Sequence, residues 1–104
     1  MNHPFFFTEK LTLYNGWTPL ERLPRFAARY GVELFLKRDD LTGGVESGNK
    51  IRKLSYLLYY ALKNNYTAVM TCGAVTSNHA RATAVASRRC GVTPYLLLRG
   101  KPGH

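Results

Sequence analysis

Two short stretches carry side chains able to do chemistry. In the first, Gly43-Gly44-Val45-Glu46-Ser47-Gly48-Asn49-Lys50-Ile51-Arg52-Lys53, a glycine-containing loop runs into a segment whose opening turn holds three cations, Lys50, Arg52 and Lys53. If the segment is helical, those charges sit at its wrong end. A helix N-terminus is already partly positive, and each neighbouring cation costs about 0.3 to 1 kcal/mol. An anion bound there removes the penalty, and phosphate is the usual guest of a helix start. Lys50 and Lys53, three apart, share a face, whereas Arg52 points elsewhere. The plainer alternative is a solvated basic turn beside a flexible loop.

The second stretch is Gly73-Ala74-Val75-Thr76-Ser77-Asn78-His79-Ala80-Arg81. Here a glycine closing an apolar run leads into hydroxyl, amide and imidazole side chains. Free backbone N–H groups with the Thr76 and Ser77 hydroxyls suit a carboxylate, and ligands of open α/β sheets bind beyond the carboxyl ends of strands. Helix capping by Ser77 or Asn78 explains the same residues. His79 taken alone reads as a structural or solvent-facing imidazole. Two anion-compatible helix starts in one short chain together favour a site for an anionic cofactor beside an acidic substrate.

The elements that must position these residues follow from periodicity. Ile51, Leu54, Leu57, Leu58, Ala61 and Leu62 recur at spacings of three and four, which predicts an amphipathic helix over 49–64. Ala68 to Cys72 reads as a short strand ending at Gly73. Asn78 to Arg89, rich in Ala and Arg and closed by Gly91, reads as a second helix, and Pro94 to Arg99 as the next strand. Strand, helix and strand form a βαβ unit, for which a right-handed crossover and parallel strands are expected. Upstream, Leu23-Pro24-Arg25 to Tyr30 followed by Gly31 predicts a short helix. Val32 to Arg38 predicts a strand with Val32, Leu34 and Leu36 on one face, stopped by Asp39-Asp40. The fold class expected is therefore α/β. It divides into an N-terminal segment, 1–48, and a part over 49–104 that carries both chemical stretches.

Composition bounds the reading. The 104 residues are 45% hydrophobic, 20% charged and 12% aromatic, which sets aside disordered, collagenous and disulfide-scaffold classes. Met1 to Phe7 has no basic lead and only three consecutive apolar residues, so neither a signal peptide nor a membrane span is expected and a soluble cytoplasmic protein is the default. Cys72 and Cys90 lie far apart, and the expectation is two reduced thiols in packing positions with no metal. One βαβ unit and an extra helix cannot cover both faces of a parallel sheet. The chain is thus expected to be incomplete, ending in the loop-like Arg99-Gly100-Lys101-Pro102-Gly103-His104. Charge is uneven: 15 Lys and Arg stand against 6 Asp and Glu, a net +9, and beyond Glu46 there are nine bases and no acid. Such a surplus calls for an anionic partner.

Several stretches in order resemble one family. Thr18-Pro19-Leu20-Glu21, Leu36-Lys37-Arg38-Asp39-Asp40-Leu41-Thr42-Gly43, Ser47-Gly48-Asn49-Lys50-Ile51-Arg52-Lys53-Leu54 and Ser77-Asn78-His79-Ala80-Arg81-Ala82-Thr83-Ala84 are similar to motifs of the D-cysteine desulfhydrase and 1-aminocyclopropane-1-carboxylate deaminase family. These are pyridoxal-phosphate enzymes with the tryptophan synthase beta-subunit fold. The resemblance covers Thr18 to Arg99 and implies the N-terminal part of such an enzyme, truncated.

By that resemblance, pyridoxal 5'-phosphate is the cofactor. Lys50 forms the Schiff base with it and removes the Cα proton, and Lys53 reaches toward its phosphate. Asn78 hydrogen-bonds the pyridoxal 3'-oxygen and lies beside the substrate, and Ser77 contacts the substrate carboxylate and assists proton transfer. His79 lies near the substrate and leans toward the desulfhydrase branch. The helix start and the neighbouring charges of Arg52 and Lys53 should favour a neutral, nucleophilic Lys50 amine. Thr76 departs from the Gln commonly found before the Ser-Asn pair. A small amino acid is then the substrate. D-cysteine would give pyruvate, sulfide and ammonia, and the cyclopropane acid would give 2-oxobutyrate and ammonia. A homodimer is the expected assembly of the complete enzyme, with no membrane partner.

Two other readings stand beside this one. The chain by itself could be an inert remnant of the enzyme. A basic nucleic-acid-binding module would account for the charge. Against that module, the cations are scattered over two helices and loops, no nucleic-acid motif occurs, and the seven tyrosines do not alternate with bases.

Overall fold

The computed structural model describes residues 9–101. The Met1 to Phe7 run and the final three residues, on which part of the sequence reading rests, lie outside the described residues.

In chain order the elements are β1 (Leu20–Arg22), α1 (Pro24–Tyr30), β2 (Phe35–Lys37), a single 3-10 turn (Asp39–Leu41), α2 (Lys50–Lys63), β3 (Ala68–Ala74), α3 (Asn78–Arg89) and β4 (Thr93–Arg99). The α/β class and the parallel βαβ unit are as expected. β3 and β4 pair in parallel along their whole length, from Ala68 opposite Thr93 to Ala74 opposite Arg99. α3 connects them and packs on both.

The core lies between α2 and α3. α2 buries Ile51, Leu54, Leu58 and Ala61, one stripe at helical spacing. α3 meets it with small side chains, burying Ala80, Ala82, Thr83 and Ala86, so the two helices can approach closely. Leu13 from the N-terminal segment completes the cluster of Ile51, Leu54, Leu58, Ala82 and Ala86. Each large aliphatic side chain buried there contributes about 1.5 to 3 kcal/mol.

The N-terminal segment differs from expectation in two ways. β1, unexpected from the sequence, pairs antiparallel with β2, Leu20 opposite Lys37 and Arg22 opposite Phe35. The strand expected over 32–38 is only Phe35–Lys37, and Val32 and Leu36 are exposed. A three-residue partner gives the longer apolar alternation nothing to pair with or pack against. α1 ends as expected: Gly31 takes the left-handed conformation, φ 65°, and its N–H bonds the carbonyl of Ala27. The thiols are both free, but only Cys90 packs against the core. Cys72 is exposed on β3, where the strand's alternation turns it away from the helices.

Candidate active site

The loop before α2 is folded by its own side chains. Thr42 is fully buried. Its Oγ accepts a hydrogen bond from the N–H of Gly48 at 2.9 Å and donates to the carbonyl of Asp39 at 2.8 Å, with the Gly48 carbonyl 3.1 Å away. Gly48 has φ +126°, a conformation that excludes ordinary L side chains. A Cβ there would also stand 2.4 Å from Nδ2 of Asn78. Glycine at 48 therefore lets the loop touch the first residue of α3. Two residues earlier, buried Glu46 receives a hydrogen bond from Arg89 in the last turn of α3, 2.8 Å. The loop is thus tied to α3 at two points, by Gly48 against its first residue and by the side chain of Arg89 reaching from its last turn.

α2 then begins at Lys50 with no side-chain cap, Asn49 being itself helical in conformation. The three cations of its first turn divide. Lys50 is half-buried and Lys53 exposed, and the charges of both act on the His79 imidazole of α3. Arg52 turns the other way. It donates to Asp39 Oδ1 at 2.8 and 3.1 Å and to Thr18 Oγ at 2.9 Å, and its guanidinium lies over the Tyr14 ring at 5.1 Å. Arg52 thus points away from the face shared by Lys50 and Lys53, as the spacing of the three cations predicts. Arg52 is committed to a carboxylate and binds the helix start to the 3-10 turn.

The second stretch forms the start of α3. β3 runs on through Gly73 to Ala74, and the chain turns through Val75 and Thr76. A side chain at 73 would press on Ser77 Cβ and Oγ at 3.0 Å, so glycine gives Ser77 its place. Ser77 caps α3, its Oγ accepting from the N–H of Ala80 at 3.1 Å. That bond uses the oxygen as acceptor and leaves the hydroxyl proton free to donate. Asn78 Oδ1 accepts from Arg81 at 2.6 Å, which leaves the amide NH2 facing Gly48. Thr76 is exposed.

His79 is half-buried between the two helices. Burial lowers its pKa from the ordinary value, and the positive charges of Lys53 and then Lys50 add to the effect. Its Nδ1 is buried without a hydrogen-bond partner among the described residues. A cleft of about 250 Å³ opens beside it, walled by Leu54 and Leu57 of α2, Met70 and Thr71 of β3 and Thr83 of α3.

The five residues singled out by the sequence, Lys50, Lys53, Ser77, Asn78 and His79, therefore lie at the adjoining starts of two packed helices. Residues that shape the site without having been singled out are Asp39, Thr42, Glu46 and Arg89. Their roles depend on partners 6 to 43 positions away, which spacing does not reveal.

On this α/β chain, two lysines at one helix start lie beside an amide and an imidazole at another, an amine, positive charge and hydrogen-bonding groups chemically suited to an anionic carbonyl compound. The chain belongs to the pyridoxal-phosphate dependent enzyme family, whose model matches residues 11–101. A Thermotoga maritima protein provisionally named 1-aminocyclopropane-1-carboxylate deaminase is 58% identical over 79% of this chain and 26% of its own length. A similarly named Pyrococcus abyssi protein is 48% identical over 88% of this chain and 28% of its own. The crystal structure of an ACC deaminase homologue superposes with a TM-score of 0.83 at 46% identity, covering 88% of this chain and 28% of that one. The chain spans about a quarter of the length of these relatives. Pyridoxal phosphate as the cofactor of the family stands as expected.

The donor set fits that group. Lys50 supplies a primary amine for an aldehyde, and Lys53 with the uncapped start of α2 supplies positive charge for a phosphate. The Asn78 NH2 supplies a donor for a ring oxygen. Among the described residues no helix is long and apolar enough to cross a membrane.

Proposed function

We propose that this chain carries the lysine-bearing part of a pyridoxal-phosphate-dependent lyase or deaminase acting on a small amino acid, with Lys50 as the residue that takes the cofactor covalently. The observation that carries the reading is the meeting of the two helix starts: Gly48 against Asn78, and Lys50 and Lys53 within electrostatic reach of His79. Bound there, the cofactor supplies an electron sink for charge developing at the substrate Cα.

The chain's own residues do the rest. With D-cysteine, Lys50 Nζ, once free, removes the Cα proton as general base while the Cβ–S bond breaks; 1-aminocyclopropane-1-carboxylate has no Cα hydrogen, so with that substrate the same amine would move a proton at a ring methylene. Lys53 holds negative charge at the α2 start. Ser77 donates its free hydroxyl proton to the substrate carboxylate and assists proton transfer, and Asn78 donates from Nδ2 to the cofactor ring oxygen and borders the substrate. His79, its pKa lowered, is neutral near pH 7 and offers the substrate a hydrogen bond without adding a third charge to the two lysines.

Two substrates remain in view, each with its own support. His79 beside the site favours D-cysteine, with release of pyruvate, sulfide and ammonia. The names of the relatives favour 1-aminocyclopropane-1-carboxylate and release of 2-oxobutyrate. Sulfide or 2-oxobutyrate as product separates them. A homodimer is the proposed assembly of the whole enzyme, and the cytoplasm its proposed compartment.

The test is borohydride reduction of the chain with pyridoxal phosphate, followed by peptide mapping. The expected label is on Lys50 and is lost in Lys50→Ala; a label indifferent to that substitution overturns the assignment. Without the remaining three quarters of the relatives' length, the chain alone is expected to show no steady pyruvate formation from D-cysteine. Steady formation abolished by Lys50→Ala would show that it is not an inert piece.

A further inference from the structure

Thr42 stands outside the donor set, yet it governs how the chain enters α2. Its hydroxyl is fully buried and doubly engaged, accepting from the Gly48 N–H and donating to the Asp39 carbonyl. Asp39 in turn holds Arg52, two residues beyond Lys50. The carbonyl of Thr42 itself accepts from the N–H of Asn15 at 2.8 Å, which anchors the turn to the N-terminal segment. One residue therefore closes the 42–48 loop and fixes it to the surrounding chain.

The closure acts at the position where backbone freedom is greatest. Gly48 is two residues before Lys50, its φ of +126° is open to glycine alone, and it rests on the Asn78 amide. A glycine held by no side chain samples many conformations. With its N–H pinned to Thr42 it keeps the one that brings the loop against α3. We propose that Thr42 is a positioning residue: through Gly48 it sets the approach of Lys50 to the Asn78–His79 end of α3, and so makes Lys50 the favoured lysine for covalent capture of the cofactor. The inference rests on Lys50 being the attachment residue.

The measurement is the distribution of borohydride-fixed pyridoxal phosphate among the six lysines of the full chain, read by peptide mass spectrometry at limiting cofactor. Thr42→Val keeps the shape and removes the hydroxyl. It is expected to lower the ratio of label at Lys50 to label at the other lysines by about three- to tenfold, the equilibrium factor of one lost hydrogen bond. Thr42→Ser restores the hydroxyl and should restore the ratio. Ala61→Gly, which weakens the distant end of α2, serves as the stability control and should leave the ratio unchanged.

A wild-type label spread evenly over the lysines rejects Lys50 as the attachment residue and the inference with it. A wild-type label focused on Lys50 and unmoved by Thr42→Val overturns the inference alone, as does an equal shift in Ala61→Gly. If Thr42→Val does not fold, Thr42→Ser decides: selectivity lost in a folded Thr42→Ser chain, judged by its circular dichroism, overturns the proposal, and selectivity kept supports it.

Discussion

His79 sits where three influences on one imidazole add. Desolvation between α2 and α3 disfavours its charged form, and the Lys53 and Lys50 ammonium groups repel a further proton. The consequence for stability has a definite sign. The unfolded chain protonates this imidazole near its ordinary pKa of about 6.5, while the folded chain resists until a lower pH. Stability from this source is complete above about pH 6.5 and falls as the pH drops through the window between the unfolded and folded values. Urea unfolding at pH 7.5 and pH 5.5 should therefore give a lower midpoint in acid, and His79→Gln should flatten that difference. A midpoint drop unchanged by His79→Gln would place the titrating group elsewhere. Glu9 and Asp40, whose carboxyl groups are held below their usual range by Tyr59 and Arg38, lose their contributions only at lower pH.

Among the elements, α2 is held at its start by polar contacts and along its length by the core. The pair of Arg52 with Asp39 is the principal polar tether, both side chains being about 30% exposed, 30% and 27%. Asp39→Asn leaves the guanidinium near a neutral amide. A loss of about 1 kcal/mol is expected, less than a buried pair would give because solvent still screens these groups. A double-mutant cycle with Arg52→Met in urea unfolding measures the coupling; zero coupling would reduce the contact to a surface pairing. The sequence made α2, α3 and the parallel β3–β4 unit legible, since Ile51, Leu54, Leu58 and Ala61 repeat at helical spacing and apolar runs bracket α3. It also made Lys50 and Lys53 stand out, as cations where a helix disfavours them. β1 was hidden because three residues carry no period, and the strand expected from Val32 onward is cut short for want of a longer neighbour. The Arg52–Asp39, Thr42–Gly48 and Glu46–Arg89 links were hidden because each joins residues that only folding brings together. Asp39 reads in sequence as a strand stop, and in the structure it is also the partner of a helix 13 residues on.

Over the whole molecule the separation of charge along the chain is partly undone by folding. Of the nine bases beyond Glu46, three find acids from the other part: Arg52 with Asp39, Arg89 with Glu46 and Lys63 with Glu9. A polyanion is not required to explain these three, and the two lysines beside His79 belong to the candidate site. What the described surface does expose is apolar. Met70 of β3 and Tyr95 and Leu97 of β4 are more than half exposed, at 75%, 56% and 70%. A parallel sheet ordinarily has both faces covered. Exposed apolar strands of this kind favour association, and the net charge of +9 opposes it. The chain should therefore self-associate with rising concentration, and more strongly as salt is raised from about 0.01 to 0.15 M, where the screening length contracts from about 30 to 8 Å. Sedimentation velocity reads this directly. Leu97→Lys should weaken the association at every salt concentration, because it removes apolar surface and adds a like charge. Association that instead weakens with salt would mean that paired charges, not the open sheet, hold the copies together.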